Sequence, residues 1–248
     1  MKRLPNINIT EREYEYIIAQ EEIIGGEGMI CSSGKKNTLY KLFIDPHGNI
    51  CPMPENKVKK INTLYRKNLS HLVKPLSTIS CNGEVVGYEM TYDQYDRALY
   101  CLPQLERKQL IDALKQSKEA LQYFASQDVI YGDISEANIL LNTKTGVVTF
   151  CDIDNMQVGE YPIDVKGYAL MKYYEKTGVI DEKADAFVHN LLTINRLHFT
   201  SACYSEILTA LRRGIYPTKF KQHAKDVFAS MTNPESFTGE YAIQYIKR

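Results

Sequence analysis

Asp133, Asn138 and Asp152 are residue types that serve metal and phosphate chemistry, and their spacing lets one local structure gather them. They lie in the stretch Y-G-D-I-S-E-A-N-I-L-L-N-T-K-T-G-V-V-T-F-C-D-I-D, from Tyr131 to Asp154. A short polar turn divides Asp133 from Asn138. The apolar run Ile139-Leu140-Leu141, turn residues Asn142 to Gly146 and a second strand-like run, Val147 to Cys151, then lead to Asp152. Two short strands joined by such a turn predict a hairpin, which brings the groups before its first strand close to those after its second. Asp152 and Asn138 would supply hard oxygen ligands of the kind Mg²⁺ takes, and Asp133 would orient or deprotonate a hydroxyl. Asp154 competes with Asp152 for the metal, because D-I-D in an extended strand puts both carboxylates on one side. Taken singly, an Asp or Asn near a turn is as well explained by capping. The spaced set is what points to chemistry.

Composition narrows the partners. The chain has 248 residues, enough for a full core in one domain or two packed lobes. Its 30 basic and 30 acidic residues cancel, so no overall field attracts nucleic acid or an anionic membrane. Neither nucleic acid nor a membrane segment is expected as a partner. Six cysteines form no C-x-x-C pair and several sit in apolar runs, which predicts reduced thiols and not a disulfide framework or zinc site. The opening Met1-Lys2-Arg3-Leu4-Pro5 lacks the apolar stretch of a secretory signal, and a cytoplasmic location is expected; delivery into another cell as an effector is compatible with the same sequence.

The elements around the polar stretch change character along the chain. Residues 11–20 fit a short helix or an opening strand, and the pattern does not decide. Ile23-Ile24-Gly25-Gly26-Glu27-Gly28-Met29-Ile30-Cys31 reads as strand, glycine turn, strand, a pattern common in hairpins and also one that lets backbone N–H groups approach phosphate. Thr38 to Ile44 is a strand with one Lys among apolar and aromatic residues; Lys41 there needs either water or an anion. A helix is predicted over residues 55–71, strands over 72–80 and 84–91 around the turn Cys81-Asn82-Gly83, and a long amphipathic helix over 105–127 with Leu110, Leu114, Ser117, Leu121 and Phe124 or Ala125 on one face. Further helices are expected at 185–194, 204–213, 219–230 and 236–246, and none with assurance between 155 and 162.

The stretch Asp133-x-x-x-x-Asn138, the hairpin and Asp152 resemble the catalytic loop and metal-binding segment of the protein-kinase-like superfamily, in particular its divergent bacterial eukaryotic-like protein kinases. Y-G-D stands for the family's H-R-D and D-I-D for its D-F-G; Ser135 stands where ordinary Ser/Thr kinases have a Lys, and no A-P-E motif follows before Asp185. The resemblance implies an α+β, two-lobed fold: a small antiparallel β-rich lobe with one helix over residues 1–92, and a compact, mostly helical lobe over 93–248, enclosing a nucleotide. It implies that Gly25, Gly26 and Gly28 belong to the glycine-rich loop and that Lys41 holds the α- and β-phosphates of ATP. Met90 falls near the gatekeeper, and the backbone of Thr91, Tyr92 and Asp93 is placed against adenine. Glu55 is the one acid in its helix for pairing with Lys41, and Asp185 is the structural carboxylate bracing the catalytic loop, a role that overlaps with that of an ordinary helix N-terminal carboxylate.

What the resemblance implies for function is Mg²⁺-dependent transfer of the γ-phosphoryl group of ATP, with Mn²⁺ as a substitute metal, to a protein Ser or Thr hydroxyl. The replacement of Lys by Ser135 and the missing A-P-E also suit a kinase of small hydroxyl compounds. Y-G in place of H-R and the absent interior helix glutamate suit a nucleotide-binding pseudokinase.

Overall fold

A computed structural model describes residues 4–19, 21–24, 28–45, 47–102, 105–163, 167–199, 203–216 and 220–247, with the backbone alone described at 21–24. The chain is mixed α+β and divides into two compact units, Met1–Asp96 and Arg97–Arg248. Among the described residues no helix is long and apolar enough to cross a membrane. None of the six cysteines is in a disulfide.

The first unit carries β1 (Asn6–Ile9), α1 (Glu11–Ile18), β2 (Glu21–Ile24), β3 (Gly28–Ser32), β4 (Thr38–Phe43), α2 (Glu55–Lys67), β5 (Pro75–Cys81) and β6 (Glu84–Thr91). Its sheet runs β1-β5-β6-β4-β3-β2 and is antiparallel except for the parallel pair β1 and β5. The expected antiparallel, β-rich character holds apart from the pair β1 and β5, and the expectation of one helix is corrected, because the unit carries both α1 and α2. Residues 11–18 are helical because Thr10 and Glu13 form a reciprocal capping box: Glu13 N donates to Thr10 Oγ1 (3.2 Å), and Thr10 N donates to Glu13 Oε2 (2.7 Å). Tyr14 of α1 is then buried with Met29, Cys31, Tyr40, Leu42, Ile79, Cys81 and Val86 in the core of this unit. Side chains alternate across a strand, so Tyr40 and Leu42 face this core while Lys41 and Phe43 face the other side of the sheet.

α2 ends before residue 71. Asn68 adopts the left-handed conformation (φ 48°) and its N–H closes on Leu64 O (3.0 Å), a polar stop of the kind Asn tolerates. Gly87 of β6 shows how tightly the sheet is built: a Cβ there would lie 2.2 Å from Lys41 O, a backbone atom that cannot step aside. Gly87→Ala is therefore expected to cost about 1–3 kcal/mol. Urea unfolding of the variant beside the parent checks this; an unchanged midpoint would refute it.

The second unit carries β7 (Asp96–Ala98, beginning at the boundary), α3 (Arg107–Ser126), β8 (Val129–Ile130), β9 (Ile139–Asn142), β10 (Val148–Phe150), β11 (Gln157–Val158), α4 (Tyr168–Thr177), α5 (Glu182–Ile194), α6 (Tyr204–Arg212) and α7 (Gln222–Ser230). β7, β9 and β10 form one small sheet, and β8 pairs with β11 in another. α3 buries Leu110, Leu114, Ser117, Leu121 and Phe124, whereas Ala125 is half-buried. α5 is buried from Ala184 to Ile194, and its His189 sits between Ser117 Oγ (2.9 Å from Nε2) and Thr193 Oγ1 (3.3 Å from Nδ1). Burial pushes the His189 imidazole down to about 4, so it is a neutral core group at physiological pH.

One local expectation is corrected here, and one helix is added. Residues 236–246 form no α-helix; short 3₁₀ turns occupy Pro234–Ser236 and Ala242–Tyr245, with Gly239 at φ 83° between them. Asn190 pins this segment, donating to Glu240 O (2.8 Å) and accepting from Ala242 N (2.8 Å). α4 was not foreseen, because it buries only Ala169, Leu170 and Tyr173 while Tyr168, Met171 and Tyr174 are exposed, which blurs the helical stripe.

Candidate functional site

In the second unit the predicted hairpin is present, with Ile139 opposite Phe150 and Leu141 opposite Val148. Its turn is held by Asn142, whose N–H donates to Val147 O (2.9 Å) and whose Oδ1 accepts from Thr145 N (2.9 Å). At the open end Cys151 N donates to Asn138 O (3.0 Å), so Asn138 and Asp152 leave the same end of the hairpin. Asn138 in turn reaches back to the preceding loop: its Nδ2 donates to Asp133 O (2.9 Å) and to Asp133 Oδ2 (2.9 Å). The hairpin therefore gathers Asp133, Asn138 and Asp152 through backbone and amide contacts.

The loop that carries Asp133 is braced from α5. Asp185 Oδ2 accepts from Tyr131 N (2.8 Å) and Oδ1 from Gly132 N (2.6 Å). Asp185 lies in the first turn of its helix but spends both oxygens on the loop, while Asp181 caps the helix by accepting from Lys183 N and Ala184 N. Burial pushes the Asp185 carboxyl up to about 7, against the two N–H groups that hold it down. Tyr131 is itself buried, its ring edge-on to Phe150 (4.7 Å between centroids) and its hydroxyl donating to Cys151 O. Burial, with Cys151 and the carboxylates of Asp152, Asp133 and Asp185 adding to it, raises that phenol well above its ordinary value.

Gly132 has a reason that its motif position does not disclose. Its φ is +72°, and a Cβ would come 1.8 Å from Ile163 Cδ1 and 3.3 Å from Leu170 Cδ2. Ile163 packs over this position, and the positive φ strains any residue with a Cβ here.

Asp152 also adopts a left-handed backbone (φ 56°), after which Ile153–Asn155 wind into a 3₁₀ turn. This corrects the expectation that D-I-D is extended with two carboxylates on one side. Asp152 is half-buried, with Oδ2 accepting from Asn155 Nδ2 (3.2 Å), whereas Asp154 is fully buried in the turn. The turn separates the two carboxylates by environment, Asp152 being the less buried of the two.

Asn138 Nδ2 is committed to Asp133, so the atom of Asn138 that could meet a cation is Oδ1; it and the Asp152 carboxylate are hard oxygens of the type Mg²⁺ takes. Among the described residues no group of three or more His, Cys, Asp or Glu is gathered for a metal. A site of one carboxylate and one amide matches the way Mg²⁺ shares protein oxygens with substrate phosphates and water.

Two neighbours were not legible in the sequence. A π-helical turn at Asn195–Phe199 carries Arg196 to Glu136 of the loop before β9 (2.9 Å). The Tyr204 hydroxyl is raised by burial and by the carboxylates of Glu136 and Asp133, which places it near both.

In the first unit Lys41 is buried on β4, opposite Ile30 and Tyr88. Gly25 and Gly26 lie outside the described residues. Gly28 begins β3, where a Cβ would fall 2.6 Å from Leu42 O and 3.7 Å from Lys41 Cε, so glycine here leaves room for the neighbouring strand and for the lysine stem. Glu55 is corrected as the partner of Lys41: its side chain is 83% exposed and pairs with Lys59 (2.7 Å), because a residue at the first turn of α2 points to solvent. Met90 is buried between Leu39 and Pro75 in the register of the sheet. The Thr91 N–H donates to Lys74 O (2.9 Å) and the Tyr92 N–H to Asn37 O (2.9 Å), so these two N–H groups are taken up within the unit. Asp93 accepts from Asp96 N through its carbonyl (2.8 Å) and from Tyr95 N through its carboxylate (2.9 Å).

No family model matches the chain, and no curated protein matches it in sequence.

Proposed function

We propose that the chain is a protein-kinase-like phosphotransferase that moves the γ-phosphoryl group of ATP to a Ser or Thr hydroxyl of a protein. The observation that carries this reading is the Asp133–Asn138 contact, locked below by Asp185 and joined through the hairpin to Asp152. Asp133 accepts or directs the proton of the attacking hydroxyl, held in position by the Asn138 amide. Asn138 Oδ1 and Asp152 would hold Mg²⁺, which when bound neutralises charge on the transferring phosphates. Lys41 binds the α- and β-phosphates. Positioning and charge neutralisation supply most of the rate, and Asp133 needs no unusual acidity for this work.

A second reading, transfer to a small hydroxyl compound, is favoured by the segment after Asp152. Instead of an extended platform it folds back at once: β11 pairs with β8, and Val158 bridges Tyr161. Incubation with γ-labelled ATP and Mg²⁺, with a protein mixture or a panel of hydroxyl metabolites, separates the two by the mass of the labelled product. Asp133→Asn is expected to lower turnover by about 10²–10⁴-fold in either case. Label transfer that persists at full rate in Asp133→Asn would refute the assignment, and absence of any transfer by the parent chain would refute the activity.

A further inference from the structure

We infer that the second unit carries a binding site for a small polyphosphorylated ligand, formed by Lys115, Lys221 and Lys247. This goes beyond the phosphotransferase reading and uses none of its residues. A cavity of about 820 Å³ in this unit is lined by the three lysines with Gln222, His223 and Tyr245, and no Asp or Glu lines it. The chain as a whole is neutral, with 30 basic and 30 acidic residues, so a concave surface that gathers three cations is a local departure. Walls of one sign focus a field there that the chain lacks overall.

Each lysine comes from a different element. Lys115 follows the buried Leu114 on α3 and is itself half-buried. Lys247 follows Ile246, which is buried with Ala242 and Ile243 of the last 3₁₀ turn. Lys221 is the N-cap of α7, and the edge-on contact of His223 with Tyr245 (5.5 Å between centroids) ties that helix to the C-terminal segment. Among the described residues none of the three lysines forms an ion pair. Asp226, one turn into α7, is held on its own helix: its carboxylate accepts from Gln222 Nε2 (2.7 Å) and lies 3.9 Å from His223 Nδ1.

These donors suit phosphate. A lysine side chain has no acceptor, so the first-turn N–H groups of α7 are left without a side-chain cap, and Lys221, Gln222 and His223 all line the cavity. A phosphoryl group takes backbone N–H donors at a helix N-terminus and ammonium groups from several sides at once. It carries a charge of about −1.5 to −2, against −1 for a carboxylate, so an acidic peptide answers three cations around one cavity less well. The volume lies within the roughly 300–1,000 Å³ of small-molecule sites, and three cations on separate elements call for charge spread over more than one phosphoryl group.

The test reads the lysines one by one. The full chain is acylated with and without inorganic tripolyphosphate, and the rate at each lysine is followed by mass spectrometry. Labelling of Lys115, Lys221 and Lys247 is expected to slow together, with the exposed Lys176 of α4 unchanged. Unchanged rates at the three, or equal slowing at Lys176, would overturn the site. In calorimetric titration Lys221→Gln and Lys247→Gln are each expected to weaken tripolyphosphate about tenfold, and protection of the remaining lysines falls with it, whereas Lys221→Arg keeps the charge and stays within about twofold. Both lysines are exposed, so the variants fold, and parent affinity in either glutamine variant would refute the assignment. Hexaglutamate that protects the three lysines at lower concentration than tripolyphosphate would overturn the phosphate chemistry. Protection by vesicles of phosphatidylcholine with a polyphosphorylated inositol lipid, and none by tripolyphosphate, would replace the small ligand with a membrane surface. The phosphotransfer assay is decided separately: a chain that transfers no phosphoryl group can show this protection, and one that transfers it can lack it.

Discussion

Asp185→Ala is expected to destabilise the second unit by about 3 kcal/mol at pH 5 and to lower phosphoryl transfer by at least about 10²-fold. The substitution leaves the N–H groups of Tyr131 and Gly132 buried without their acceptor, and an orphaned buried donor costs about 1–3 kcal/mol. Asp133 follows directly on these two residues, so loss of the brace displaces the carboxylate proposed to direct the hydroxyl as well as weakening the fold. The effect on stability carries its own pH signature. The Asp185 carboxyl is raised from 3.8 to about 7, chiefly by burial, with the N–H groups of Gly132 and Tyr131 opposing and Asp181 adding to the rise. A raised carboxyl favours the protonated folded state, so its contribution is fully present below about pH 3.8 and is lost as pH rises through about 7. The gap between parent and Asp185→Ala should therefore narrow between pH 4 and pH 8. Chemical unfolding at a series of pH values reads it directly, and a gap that widens with pH would show that the carboxylate, and not the acid, is the form the fold prefers.

Asp152→Asn and Asp154→Asn should fail in different ways. Asp152→Asn is expected to lower Mg²⁺-ATP turnover by about 10²–10³-fold while leaving stability within about 0.5 kcal/mol. Asn tolerates the left-handed backbone that Asp152 adopts, and its Oδ1 can keep the bond from Asn155 Nδ2. What disappears is the charge offered to the metal. Asp154→Asn is expected to cost about 1–3 kcal/mol of stability, since that carboxylate is wholly buried in the 3₁₀ turn, with turnover per folded molecule largely kept. Parallel measurement of turnover and of the unfolding midpoint separates them. A folded Asp154→Asn without activity beside an active Asp152→Asn would exchange their roles.

Much of this site is readable in one dimension because its parts are close in sequence. Asp133, Asn138 and Asp152 are linked by a hairpin whose strands and turn are spelled out by Ile139 to Leu141, Asn142 to Gly146 and Val148 to Phe150, and short-range pairing needs no information from elsewhere in the chain. The apolar stripe of α3 and the lysine set in β4 were legible for the same reason: period and local contrast reveal which face is buried.

What only the tertiary structure decided are contacts between residues far apart in the chain. Sequence shows a glycine at 132 but not that Ile163 closes over it; it shows Glu55 on a helix but not that the helix turns Glu55 to solvent and Lys57 to Phe43. It placed the backbone of Thr91, Tyr92 and Asp93 against adenine, and the fold spends the N–H groups of Thr91 and Tyr92 on Lys74 and Asn37. D-I-D was ambiguous until its backbone direction was known, because a left-handed residue at Asp152 and the 3₁₀ turn after it send the two carboxylates into different surroundings. Local pattern thus determined which polar residues stand together around the hairpin, whereas side-chain direction and burial, which depend on what packs from a distance, decided what each of them touches.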